Sequence, residues 1–492
     1  MTMDCSNHFT FGTIGQQEVH VDFCGGRIVS DAGLLALREF DKSLGIVAGF
    51  AERFPDPRAL PLVTHTREAI LTQEVYQILA GYPDGNDADV LRHDPLFKTL
   101  LDVSPDDDEH PLASRSTLNR FHYAFTRRQA DLPIEERSVL LECQQALCQR
   151  LTIGNDYLID LFLRTRRQRP PYVIIDLDAS DDPTHGQQNL SGYHGYYQQH
   201  QYLPLFFYDG DTGFPLAAWL RPGTVHASCG AVDSLRRIVT KLRQAYPGLL
   251  ILVRGDTGFA IPAMYEFCEA EGLLYALGYG TNEVLKRRTD PQLADLQEYY
   301  YWYGYRREPH LQHFESIEDY QADGWSRPRR IIAKLELMPQ GTNRRFVVTN
   351  MSGHPQGIYH GFYVKRGDVP ESPIGEWKNG LQGDRLSAHG FRANGLKLLE
   401  HILAFALLVL YREAAARAVP EMAHAEVSTW RQRLWKVGAV VVSTPRRIWF
   451  HFSETWPFRS LWTRVHTAAM AFVAELRQRT TAPLGVAINP LM

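Results

Sequence analysis

Tyr172-Val173-Ile174-Ile175-Asp176-Leu177-Asp178 is the stretch on which the fold turns. Its β-branched and aromatic residues predict a strand. The two-residue period of a strand puts Asp176 and Asp178 on one face, with Ile175 and Leu177 on the other. A carboxylate among such neighbours is expensive to bury unless it is paired or bound to a cation, and only one of the two aspartates need carry chemistry.

Downstream, Tyr202-Leu203-Pro204-Leu205-Phe206-Phe207-Tyr208 and Phe214-Pro215-Leu216-Ala217-Ala218-Trp219-Leu220 predict two more strands, antiparallel neighbours of the first. A helix is expected over 232–246, where Leu235, Ile238, Val239 and Leu242 recur at helical spacing. Leu249 to Val253 then predicts a buried strand ending at Asp256, which repeats the pattern of an acid at a strand end. A second helix over 262–272 and a strand over 273–277 follow. If the two acid-bearing strands are adjacent, Asp178 and Asp256 converge. A helix-capping or turn role is the competing account of each aspartate taken alone.

A third acid comes much later. Glu371 and Lys378 are seven residues apart, nearly two helical turns, so they share a face of a predicted helix running from Glu371 towards Ala416, while Glu376 points away. Tyr363 and Arg366 precede Glu371. Arg and Lys offer charge-assisted contacts to phosphate, and Tyr can hydrogen-bond or stack.

Three meandering strands, helix, strand, helix, strand is the order of the RNase H-like fold. Together with Tyr363, Arg366, Glu371 and Lys378, it gives a chain that resembles bacterial insertion-sequence DDE transposases of the tyrosine-arginine-glutamate-lysine signature group, insertion-sequence family thirteen-eighty. The likeness extends over 81–95, 112–121, 176–197, 202–223, 253–259, 325–350, 363–381 and 384–399, nearly the whole chain. One departure stands out: four residues separate Arg366 from Glu371 where the family pattern has three, Pro370 being the extra one. Pro is compatible with a first helical turn.

The resemblance implies an α/β protein: an RNase H-like catalytic core, a mixed sheet flanked by helices, at 166–284 and 356–415. A β-stranded insertion would occupy 285–355, with a helical DNA-binding region at 1–165 and a helical basic and aromatic region at 416–492. It implies that Asp178, Asp256 and Glu371 are the catalytic residues and hold two Mg²⁺ or Mn²⁺ ions per active site, with hard oxygen ligands suiting those cations. Asp176 is the fallback ligand or a partner that supports the ligands from behind, and Tyr363, Arg366 and Lys378 contact phosphate. The implied partners are DNA, as the terminal inverted repeats of the chain's own element and target DNA, and a second copy in a synaptic homodimer. The implied reaction is 3′-end nicking, hairpin formation and strand transfer. A catalytically silent DNA-binding relic or repressor of the same fold is the alternative, and a nuclease without strand transfer is a third account.

Beyond those residues the sequence is less specific. Trp302 and Trp325 are candidates to stack on a flipped base, although aromatics in such numbers usually build core. From Tyr411 to Arg479 eleven Lys and Arg face five Glu, a surplus of six positive charges that includes Arg446 and Arg447 and suggests a local DNA patch. The segment 112–121, rich in Ser, Thr, Asn and Arg, fits either a recognition helix or a capped surface helix. His185 and Ser180 suit turn and support roles, because no Ser-His-Asp set accompanies them.

The 492 residues, 44% hydrophobic and 22% charged with formal charge −4, are ordinary globular material and give no global electrostatic case for a polyanion. The six cysteines lack C-x-x-C spacing, and no signal peptide is evident. A reducing, cytoplasmic setting without disulfides is expected, nucleoid-associated when DNA is bound. No membrane segment is expected, since the apolar run Ile402 to Leu410 is short.

Overall fold

The computed structural model describes residues 8–54, 56, 58, 60–127, 149–195, 197–304, 310–367 and 373–481. The chain opens with an exposed hairpin, β1 (Phe9–Ile14) and β2 (Gln17–Val21), followed by the short β3 (Ile28–Val29). Residues 1–165 are expected to be mainly helical, and between Phe9 and Val29 the structure places strands instead. Phe9, Phe11 and Thr13 alternate with smaller or polar residues before a turn at Gly15, which has φ 65°. That is a hairpin pattern, too short to register beside the helices that follow.

Those helices include Leu34–Leu44, Ile46–Glu52, Arg67–Ala80, Arg115–Arg127 and Gln149–Thr165. Thr66 caps Arg67–Ala80 by accepting a hydrogen bond from the Ala69 amide at 3.1 Å, and Gly81 ends it in the left-handed region. On Arg115–Arg127 the face carrying Leu118, Phe121 and His122 is buried, while Ser116, Asn119 and Arg120 face solvent.

The central sheet is built from β4 (Tyr172–Ala179) onward. A small three-stranded sheet made of β5 (Asp182–Pro183), β6 (Gly192–His194) and β7 (Gln199–Tyr202) lies between β4 and its next partner. There follow β8 (Leu205–Asp209), β9 (Pro215–Trp219), β10 (Leu250–Gly255), β11 (Leu274–Tyr279), β12 (Leu311–Tyr320), β13 (Arg329–Met338) and β14 (Gly341–Thr349). The eight-stranded order is β12-β13-β14-β11-β10-β4-β8-β9. β4, β10 and β11 run parallel, and β8 lies antiparallel to both β4 and β9.

β4, β10 and β11 are largely buried, as parallel sheets usually are, with the Asp176–Arg254 pair the polar exception on one face. Helix Ala231–Ala245 leads from β9 to β10, and Pro262–Ala270 leads from β10 to β11. The strands of 285–355 do not make a sheet of their own: β14 pairs with β11, so they extend the central sheet.

Behind the sheet runs helix Phe391–Ala415, packed against β9 and helices Arg67–Ala80 and Gln149–Thr165. Asn394 pins its entry, donating to the Ala388 carbonyl at 2.7 Å and accepting from the Ala388 amide at 2.8 Å. This helix is much longer than the apolar run that signals it. By length and composition it could cross a membrane, but 94% of its most apolar window is buried within the protein. Apolar residues all round a helix fit the core of a large protein equally well.

Two further expectations are corrected. Residues 416–492 are not wholly helical: β15 (Ala439–Thr444) and β16 (Arg447–Phe452) form a hairpin that pairs with β3, before the helix Arg459–Thr481. Cys24 is disulfide-bonded. Sequence spacing misses such a bond because a disulfide needs only proximity in space.

Candidate active site at the ends of two parallel strands

The register of β4 against β10 pairs Asp176 with Arg254 and Leu177 with Gly255. One step further along each strand stand Asp178 and Asp256, side by side at the carboxyl ends. From β4 the chain turns towards β8, and from β10 it crosses to β11 on the other side. The crevice between two such strand ends is where open α/β sheets bind ligands.

Both aspartates are half-buried. Asp178 accepts a hydrogen bond from the Ala179 amide at 2.8 Å, and Asp256 accepts one from Gly258 at 2.8 Å, capping the turn Thr257–Phe259. Burial pushes the Asp178 carboxyl up to about 6; the Arg366 guanidinium opposes this and the charge of Asp256 adds to it. Tyr208 stands beside Asp178, its buried hydroxyl without a hydrogen-bond partner. Asp176, Asp178, Tyr208 and Arg366 line one cavity of about 20 Å³, room for roughly one water or ion.

The Asp178 shift has a testable sign. Its folded-state value lies above the ordinary 3.8, so the native protein holds this proton more tightly than the unfolded chain. Stability is therefore lost as pH rises through about 6. In metal-free buffer Asp178→Asn should melt above the unsubstituted protein at about pH 8, with the difference shrinking towards about pH 4. Melting curves at both pH values check this, and a pH-independent difference would count against burial as the cause.

Of the two roles expected for Asp176, its contacts favour the supporting one. It is 7% exposed and held by Arg254, whose Nε and Nη2 donate to its two oxygens at 2.6 and 2.7 Å. Arg254 also donates to the Phe362 carbonyl at 3.0 Å, which ties β10 to the segment leading into Tyr363. Arg254 was overlooked in the sequence, although it lies two residues before Asp256 and so shares its strand face.

Tyr363 ends a π turn, Tyr359–Tyr363, and Arg366 lies in the following 3₁₀ turn, Val364–Gly367. The charge of Asp256 acts on the Tyr363 phenol, which burial chiefly pushes up. Gly278 makes room for that phenol, because a β-carbon there would lie 2.6 Å from the Tyr363 hydroxyl. The Arg366 guanidinium carbon sits 5.6 Å from the centre of the Tyr363 ring, and its buried Nη1 has no hydrogen-bond partner among the described residues. Tyr363, Arg366, Asp178 and Asp256 thus share one neighbourhood.

Glu371 and Pro370 lie outside the described residues. The return to helix expected from Glu371 through Lys378 to Ala416 takes the form, among the described residues, of Pro373–Gly375, a π turn Glu376–Gly380, and a break before the helix Phe391–Ala415. A π turn closes i→i+5 bonds, so the 3.6-residue step used to compare Glu371, Glu376 and Lys378 does not apply there. Glu376 is buried, paired with Arg412, and accepts from the Val427 amide at 2.8 Å. Lys378 already has an anionic partner, Asp181 at 2.6 Å.

The two tryptophans part company. Trp302 is 68% exposed, against 7% for Trp325. Trp325 packs edge-on against Tyr265, Tyr279 and Tyr320, with ring centroids 5.2 to 5.5 Å away. It is a core residue with no free face for a base. Arg446 and Arg447 are exposed at the tip of the β15–β16 hairpin, beside the half-exposed Trp449.

A family model described as Transposase DDE domain group 1 matches residues 11–472. The chain belongs to this family. A search of curated proteins finds no significant match. Seven solved chains match significantly. Among them is the piggyBac transposase in a synaptic complex with hairpin DNA, 11% identical, covering 93% of this chain and 83% of that one at a TM-score of 0.42. Membership of this transposase family supports a function in transposition for a chain of mixed α/β architecture.

Proposed function

We propose that the chain carries out cut-and-paste transposition of an insertion sequence of the tyrosine-arginine-glutamate-lysine group, through an RNase H-like site in which Asp178, Asp256 and Glu371 are the catalytic acids. The observation that carries this reading is the juxtaposition of Asp178 and Asp256 at the ends of β4 and β10. The run β9-β8-β4-β10-β11, with only β8 reversed, supports the RNase H-like assignment.

Adjacent half-buried carboxylates fit a hard divalent cation, since the charge of Asp256 disfavours ionisation of Asp178 until positive charge is supplied. Mg²⁺ or Mn²⁺ bound by these acids would supply Lewis-acid activation and stabilise charge on a phosphoryl group. Arg366 fits a phosphate contact: it already faces Asp178 and has an unused donor. Tyr363 would orient the same backbone from the Asp256 side. Lys378 would reach phosphate by leaving Asp181. Arg446 and Arg447, at an exposed hairpin tip, would meet DNA outside the crevice, and Trp302 is the aromatic left available to stack on a base.

The substrates in this reading are the element's terminal inverted repeats and target DNA, held by a homodimer. Incubation of purified protein with its flanking DNA and Mg²⁺ is expected to give nicked 3′ ends and hairpins, and none in chelator. Binding without metal-dependent cleavage would instead establish a silent DNA-binding relic, and nicks without joined products a simple nuclease.

A further inference from the structure

Away from the strand ends, three helices bring acid and imidazole together. Glu74 comes from Arg67–Ala80, His122 from Arg115–Arg127 and Glu400 from Phe391–Ala415. The side chains of His122 and Glu400 are 1% and 2% exposed, and that of Glu74 is 11% exposed. His122 Nε2 lies 3.1 and 3.0 Å from the two Glu400 oxygens and 3.2 Å from Glu74 Oε2.

One ring nitrogen carries at most one proton, which cannot serve three oxygens well. The consequence is visible at Glu74, whose buried Oε2 lies 3.2 Å from the imidazole as an ion-pair partner but has no well-directed hydrogen bond among the described residues.

The ligand atoms all lie within 4.8 Å of one another, the only such group of three among the described residues. Nitrogen-to-oxygen separations of this size are close to the edge, roughly 3.3 Å, of a tetrahedron whose corners sit about 2.0 to 2.2 Å from a central ion. We propose that Glu74, His122 and Glu400 bind a divalent transition-metal ion of the zinc class, which ties the three helices together and is separate from the strand-end acids. An imidazole among carboxylates favours such an ion over Mg²⁺. Next to Glu400, His401 places a buried, unpartnered Nε2, while its Nδ1 lies 2.9 Å from the Lys397 carbonyl.

The test uses full-length protein carrying Asp178→Asn and Asp256→Asn, so that the strand-end acids contribute no tight binding. After dialysis against trace Zn²⁺ and then metal-free buffer, elemental analysis should find about one zinc per chain. Excess Zn²⁺ should raise the melting temperature by roughly 3 °C or more, as expected for a ligand well above its dissociation constant. Adding Glu74→Gln or Glu400→Gln should remove both effects. Should those variants not fold, Co²⁺ added to the folded parent should give the visible absorption of a four-coordinate site, reversed by Zn²⁺. No retained zinc, zinc retained after Glu74→Gln and Glu400→Gln, or no cobalt spectrum would overturn the proposal and leave a histidine–carboxylate ion pair. Each outcome is independent of whether the strand-end site cleaves DNA.

Discussion

Asp178→Ala and Asp256→Ala proteins are each expected to cleave end DNA at least about a thousandfold more slowly than the unsubstituted protein, while binding that DNA with similar affinity. The size follows from the several kcal/mol that metal-assisted stabilisation of developing charge contributes, about 4 kcal/mol corresponding to about a thousandfold in rate. Binding should persist because the phosphate-contacting candidates Arg366, Arg446 and Arg447 are untouched, and removing an acid from the crevice lessens repulsion of a polyanion. Single-turnover cleavage and equilibrium binding, measured at one salt concentration, separate the two quantities. Asp178→Asn sharpens the experiment: its melting temperature should rise at about pH 8 as its activity disappears, so misfolding cannot account for the loss. Cleavage within tenfold of the unsubstituted protein in either alanine variant would remove these aspartates from the chemistry.

How far the sequence reveals this site depends on which interactions are local. The strand Tyr172–Ala179 and its neighbours β8 and β9 are legible because β-branched and aromatic runs bounded by turns specify strands without outside help. The helices Ala231–Ala245 and Pro262–Ala270 fall within a residue or two of their apolar periodicity. The convergence of Asp178 with Asp256 is legible too, since it needs only that β4 and β10 be neighbours. What escapes is whatever depends on a partner distant in sequence. Asp176 seems exchangeable with Asp178 until Arg254 is seen to occupy both its oxygens. Trp325 cannot be told from Trp302 as a stacking candidate until three tyrosines are seen to enclose it in the core. Lys378 reads as a phosphate ligand until Asp181 faces it. The stretch around Glu376 escapes for another reason: a π turn breaks the helical period that orders side chains by face.

Arg254→Met is expected to destabilise the protein by about 3 to 5 kcal/mol, the usual consequence of stranding one partner of a buried ion pair. Asp176, 7% exposed, would be left beside Asp178 and Asp256 without its guanidinium, so three carboxylates would crowd the ends of β4 and β10. Replacing both partners, Asp176→Leu with Arg254→Met, removes the stranded charge, and exchanges of that kind are often close to neutral. The double variant should therefore recover most of the lost denaturant midpoint. Cleavage should not recover with it, because Arg254 also donates to the Phe362 carbonyl at 3.0 Å and so fixes the turn that presents Tyr363 and Arg366. Urea melts of the three proteins read the stability, and single-turnover cleavage reads the positioning. A single variant as stable as the unsubstituted protein would show that the pair is not a buried anchor. A double variant with full cleavage would show that Arg254 holds only Asp176, and that Tyr363 and Arg366 keep their places without it.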